Sequence, residues 1–147
     1  MKVAVVTGSS KGIGSIIAKD LNKRKIKVVL VARSKKLLKK IQENLTYPKI
    51  SQIIAKDLRS LSACNFVGKK VKKINYLINV AGATKGGHLL KLDDKTWNDG
   101  FDLKFKSALR LSKIFWPKLK KNKGKIINIG GGAGSWEPPS RTFMIGG

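Results

Sequence analysis

Carboxylates are scarce in this sequence: 8 Asp and Glu stand against 32 Lys and Arg in 147 residues, a formal net charge of +24. Electrostatics alone would call for an anionic partner. Cysteine is nearly missing as well. Cys64 is the only one, which excludes an internal disulfide and leaves it without a partner for a metal site, so it reads as a small half-buried residue with no chemistry. Long apolar runs are also lacking. The longest, Val3 to Val6 and Val28 to Ala32, are strand-sized and fall far short of the ~20 residues that span a bilayer. Val3-Ala4-Val5-Val6 leads straight into a glycine turn. That start reads as a first strand and not as a secretory leader, so a cytoplasmic location is expected.

The lysines fall in many short groups, among them Lys35-Lys36, Lys39-Lys40, Lys69-Lys70, Lys72-Lys73 and Lys120-Lys121. Most lie near the ends of predicted helices, where they complement the negative end of the helix dipole and keep one face solvated. Aromatic rings of the kind that stack bases do not interleave them. The charge is therefore read first as solvated helix ends and only second as a surface for nucleic acid or acidic membrane.

With 41% hydrophobic residues, the length suits one domain over residues 1–147 that buries roughly two thirds of its unfolded surface. Short apolar runs alternate with amphipathic stretches of ten residues or more, the pattern of a parallel sheet covered by helices. Strands are expected at Val3 to Thr7, Lys27 to Ala32, Ile50 to Ala55, Tyr76 to Asn79 and Lys125 to Ile129. Helices are expected from about Gly12 to Arg24, Ser34 to Asn44, Leu61 to Lys72 and Asp94 to Lys121. Asp93 or Asp94 would cap the last of these, and Pro117 should kink or end it. Right-handed crossovers make this an α/β, Rossmann-type, doubly wound parallel sheet of about five strands. After the fifth strand the sequence turns to glycine and proline, so the sheet reads as C-terminally incomplete, with an open edge and one uncovered face. The chain is expected to be the N-terminal part of a larger fold, unless something else covers that edge.

Directly after the first strand stands Thr7-Gly8-Ser9-Ser10-Lys11-Gly12-Ile13-Gly14. Gly8 lets the strand turn sharply. Gly12 and Gly14 let backbone approach a pyrophosphate and let the helix pack on the strand. Free amides at the helix start then face the phosphates. Thr7, Gly8, Ser10, Lys11, Gly12, Ile13 and Gly14 are thus candidate residues for binding a nicotinamide dinucleotide. At the end of strand two, where a carboxylate would bond the ribose hydroxyl of NAD, the sequence reads Val31-Ala32-Arg33-Ser34. Arg33 suits a 2′-phosphate through charge-assisted bonds, and Lys11 brings a second cation. NADP is favoured over NAD.

The spacing Thr7-Gly8-x-x-x-Gly12-x-Gly14, together with Asp57-Leu58, Asn79-Val80-Ala81-Gly82 and Lys125-Ile126-Ile127-Asn128-Ile129-Gly130, resembles the short-chain dehydrogenase/reductase family over essentially the whole chain. The resemblance implies that Asp57 bonds the adenine amino group with the Leu58 backbone beside it. It implies that Asn79, Ala81 and Gly82 hold the central strand and line the ribose and nicotinamide side. Asn128 would lead into the loop over the nicotinamide.

In that family a tyrosine moves the substrate proton, a lysine four residues later lowers its pKa, a serine orients the carbonyl and a helix asparagine supports the lysine through water. The matching positions here read Phe143, Gly147, Gly131 and, for the asparagine, Asp102, and no Tyr-x-x-x-Lys occurs. No catalytic residue is therefore assigned. Asp102 and Lys104 are an ionisable pair that could act instead, although charges on a helix in so basic a chain usually face solvent. His88 is read as a solvated loop side chain. The expected function is an NADP-dependent oxidoreductase that transfers hydride to or from a small-molecule alcohol or carbonyl, with a possible homo-oligomer. The alternatives are a non-catalytic dinucleotide-binding module or a basic nucleic-acid-binding remnant.

Overall fold

The computed structural model describes residues 1–82 and 89–130. Five strands form one all-parallel sheet: β1 (Val3–Thr7), β2 (Lys27–Ala32), β3 (Ser51–Ala55), β4 (Tyr76–Asn79) and β5 (Lys125–Asn128), in the order β3-β2-β1-β4-β5. This is the Rossmann-type arrangement expected from the alternating pattern. The central strand β1 is buried along its whole length, as a strand covered on both faces must be.

The helices divide between the two faces. α1 (Gly12–Lys23) and α2 (Lys35–Glu43) cover one, where Val6, Val28, Leu30 and Ile78 meet Ala18 and Leu38. α3 (Leu61–Lys70) and α5 (Ser107–Lys121) cover the other, where Val5, Val29, Val31 and Leu77 meet Val67, Leu111 and Phe115. Alternate residues of β1 and β2 therefore serve different cores, as a period of two requires. Each fully buried Leu or Phe here contributes about 1.5–3 kcal/mol. β5 lies at the sheet edge and, among the described residues, pairs only with β4. Ile126 packs into the α3/α5 core, while Ile127, on the opposite face, stays 43% exposed. The open edge and uncovered face agree with the sequence expectation among the described residues.

Three departures are local. β3 begins at Ser51 because Pro48–Ile50 forms a 3₁₀ turn whose proline occupies its first position. The expected Asp94 to Lys121 helix is divided. α4 (Asp94–Phe101), capped by the Asp93 carboxylate accepting from the Thr96 amide at 2.8 Å, passes through a π turn at Asp102–Lys106 before α5. Pro117 does not end α5, which runs on to Lys121. The carbonyl it deprives of a partner belongs to Lys113, an exposed residue that water reaches.

Candidate functional site

The turn between β1 and α1 is built by glycine at three positions for three reasons. Gly8 has φ +64 and runs so close to β4 that a Cβ there would stand 2.9 Å from the Ala81 Cα. Gly14 packs on the turn itself, and a Cβ would collide with the Gly8 carbonyl. Gly12, at φ +54, differs: a Cβ there would meet nothing within 4 Å. Its open side faces a cavity of about 700 Å³.

That cavity lies over the C-terminal ends of β1 and β4, where the strand order reverses and open α/β sheets bind ligands. Gly8, Ser10, Lys11, Gly12, Ile13 and Gly14 form one wall. Arg33 and Ser34 stand at the end of β2, Leu58 follows β3, and Ala81 and Gly82 follow β4. The start of α1 has extended backbone at Lys11, no side-chain cap and no acidic residue in its first turn. Its amides are thus left for an anion, with the Lys11 ammonium beside them. These features fit a pyrophosphate. Lys56 and Leu37 also line the cavity. The sequence reading missed both; the backbone bond from the Lys56 amide to the Ala32 carbonyl, 3.0 Å, brings Lys56 beside β2, a pairing that no motif announces.

Four sequence candidates, Thr7, Asp57, Asn79 and Asn128, do not line this cavity. Thr7 is 1% exposed; its hydroxyl accepts from the Val80 and Ala81 amides at 3.0 Å each and donates to the Ile78 carbonyl at 3.5 Å. It fixes the end of β4, which carries Ala81 and Gly82. Asp57 is turned toward Arg59, whose amide and guanidinium engage both carboxylate oxygens at 2.6–3.1 Å. Arg59 holds the Asp57 carboxyl below the usual carboxylate range, against the opposing effect of burial. Arg59 also bridges to Asp99 on α4 at 3.0 Å, and Asp99 is lowered in turn, chiefly by Lys95 at 2.7 Å. Arg110 on α5 donates to the Arg59 carbonyl, so both helices are tied to the loop that carries Leu58. Asn79, 7% exposed, donates to the Asn128 side chain at 2.9 Å across the β4–β5 ladder, while its own Oδ1 is buried without a partner among the described residues.

Asn128 lines a second cavity of about 390 Å³ together with Lys104, Phe105, Ile129 and Gly130. The π turn separates the two ionisable residues that sequence grouped together. Asp102 pairs with Lys106 at 2.8 Å, and it lines neither cavity. Lys104 lays its stem across Gly82, 3.3 Å from where a Cβ would stand, and so stands between the two cavities. Cys64 is buried, its thiol donates to the Leu58 carbonyl at 3.5 Å, and burial pushes its pKa up, in keeping with a packing role. His88, Gly131, Phe143 and Gly147 lie outside the described residues. Among the described residues no helix is long and apolar enough to cross a membrane, and no acidic, His or Cys group is placed to hold a metal.

Comparison with known proteins agrees with this geometry. The family model described as short chain dehydrogenase matches residues 2–142. The 3-oxoacyl-(acyl-carrier-protein) reductase of Salmonella typhimurium is 32% identical over 146 residues, covering 91% of this chain and 56% of the relative. An uncharacterized oxidoreductase of Staphylococcus epidermidis is 31% identical over 150 residues, 99% of this chain and 64% of its own. The chain thus spans about 60% of the length of these curated relatives. Among solved structures, a variant of the actinorhodin polyketide ketoreductase with NADPH superposes with a TM-score of 0.84 at 26% identity, over 93% of this chain and 56% of that one. The L-sorbose reductase of Gluconobacter frateurii, complexed with NADPH and L-sorbose, gives 0.80 at 30% identity over 86% and 51%. A match of this extent, on a sheet and cavity that agree with it, settles the family: the chain belongs to the short-chain dehydrogenase/reductase family.

Proposed function

We propose that this chain is the cofactor-binding part of an oxidoreductase that uses NADP and acts on an alcohol or carbonyl compound. The observation that carries the reading is the pairing of an uncapped α1 N-terminus at Gly12 with two cations, Lys11 and Arg33, on the same cavity. The α1 amides and Gly12 would hold the pyrophosphate, Arg33 and Ser34 the 2′-phosphate, and Leu58 the adenine face, while Thr7 keeps Ala81 and Gly82 in place for the ribose and nicotinamide. When bound, the cofactor supplies or accepts hydride. Support for NADP over NAD comes from Arg33, from the lack of a carboxylate at the end of β2 and from NADPH in related structures.

A second reading, a dinucleotide-binding module without turnover, is favoured by Gly131, Phe143 and Gly147 at the positions where the family carries serine, tyrosine and lysine. One thermal-shift experiment with an activity assay treats both. Ligand present at 100 times its Kd stabilises a protein by about 2.7 kcal/mol, so NADPH should raise the melting temperature clearly and more than NADH at equal concentration. No shift with either dinucleotide would sink the cofactor assignment. A shift without oxidation of NADPH across a panel of ketones and aldehydes would select the module without turnover.

A further inference from the structure

In a parallel sheet every strand starts at one end of the molecule, and every covering helix finishes there. The end of this fold opposite the cofactor cavity therefore collects residues that are far apart in sequence. α1 finishes with Lys23, Arg24 and Lys25; α3 is followed by Lys72 and Lys73 after its own Lys69 and Lys70; α5 brings Lys120, Lys121 and Lys123. The strands enter from the same end through Lys2, Lys27 and Lys125. At least thirteen cations thus share one pole. Among the described residues the carboxylates placed there are Asp20, already bound to Arg24 at 2.9 Å, and Glu43 at the end of α2.

Helix ends do not account for this charge. Each helix C-terminus carries roughly half a negative charge, so the four helices ending at this pole call for about two cations. One lysine visibly does that work: Lys118 donates to the Gly68 and Val71 carbonyls at 2.7 and 2.8 Å at the end of α3. The other lysines are surplus to it. They are lysines far more than arginines, which offer point charges instead of bidentate readers. Among the described residues two exposed rings adjoin the pole, Tyr47 and, one turn before Lys120 on α5, Trp116, too few for a track on which single-stranded bases stack. Among the described residues the other large exposed apolar side chain at this end is Met1, short of the continuous apolar face that interfacial membrane binding uses.

We infer that this pole is a docking surface for the phosphate backbone of a nucleic-acid duplex, read without regard to sequence and independent of the dinucleotide cavity at the opposite end. Five strands spaced about 4.8 Å apart make a face roughly 20 Å wide. A duplex presents one phosphate per ~1.7 Å of its axis, so the face spans enough phosphates to engage six or more of the cations.

The test is fluorescence anisotropy with a labelled 20-base-pair DNA duplex, titrated with the full chain from 50 to 200 mM salt. Six to ten phosphate contacts should lower affinity roughly 1,000-fold or more across that range. Two charge-matched variants locate the surface: Lys72, Lys73, Lys120 and Lys121 all changed to Glu, and Lys36, Lys39, Lys91 and Lys113 all changed to Glu. A Gln version of the first set guards against misfolding, checked by circular dichroism. The pole variants should lose tenfold or more in affinity, the second set threefold or less, and NADPH should not compete. Equal losses from both sets would show a diffuse charge effect and overturn the inference. So would tighter binding to a single strand, or to vesicles of 30% phosphatidylserine, than to the duplex.

Discussion

Thr7→Val is the sharpest perturbation of the site, because it removes one oxygen and keeps the shape. That oxygen is the acceptor for two backbone amides, Val80 and Ala81, at 3.0 Å each, in a residue that is almost fully buried. Thr and Val are not interchangeable in such a place, because the hydroxyl is satisfied and its loss leaves its partners unpaired. A buried donor left without an acceptor costs about 1–3 kcal/mol. Both amides belong to half-buried residues, so water recovers part of the loss, and about 1–3 kcal/mol in total is expected. For a chain of this size that lowers Tm by about 3–10 °C. The Ala81 and Gly82 backbone is then free to shift at the cavity wall, so NADPH affinity should fall as well. Thr7→Ser retains the oxygen and should hold both Tm and affinity near the parent values, although Thr7 itself does not line the cavity. The assay is thermal unfolding followed by circular dichroism, with NADPH titration on the same samples. A Thr7→Val chain as stable and as tight-binding as the parent would refute the claim that this hydroxyl organises the end of β4.

Other outcomes follow from the same geometry. Gly14→Ala forces a methyl against the Gly8 carbonyl, where backbone cannot swing away as a side chain would; a loss of about 1–3 kcal/mol together with weakened NADPH binding is expected in urea unfolding. Gly12→Asn, whose residue tolerates positive φ better than most, should fold with only modest loss yet place its side chain in the cavity, so that affinity falls much more than stability. Asp57 and Asp99 both have lowered carboxyl pKa values. Their contribution to stability is therefore fully present above the usual carboxylate pKa near 3.8 and is lost as pH falls through the lower folded values. Arg59→Gln should flatten that acid limb of the Tm-against-pH curve, and an unchanged limb would show that Arg59 does not hold the two carboxylates.

Much of the fold was legible in the sequence because the strands are short apolar runs with glycine or lysine at their ends. The glycine turn could be located in the sequence, and its sharp bend at Gly8 was legible, whereas the close approach of Gly8 to Ala81 depends on β4. What escaped depends on contacts between distant residues. Thr7 and Asp57 looked like ligand-facing groups, but their partners, the Val80 and Ala81 amides and the Arg59 guanidinium, are visible only once β4 and the β3–α3 loop are in place. Asp102 and Lys104 were grouped as an ionisable pair from their place in Phe101-Asp102-Leu103-Lys104. A π turn at Asp102–Lys106 separates them: Asp102 pairs with Lys106, and Lys104 lines the second cavity. The lysines looked dispersed because sequence separates what parallel topology gathers at one pole.

The central claim is that the β1–α1 turn and Arg33 together hold NADP, and isothermal titration of the parent chain and Arg33→Ala with NADPH and NADH tests it most directly. Hydrogen bonds to charged groups are worth more than neutral ones, but Arg33 is exposed and solvent screens part of that gain. An effect of roughly tenfold is therefore expected: NADPH should bind the parent chain about ten times more tightly than NADH, and Arg33→Ala should bring NADPH down to the NADH level while leaving NADH unchanged. Equal affinities in the parent chain, or no binding of either dinucleotide, would contradict the account.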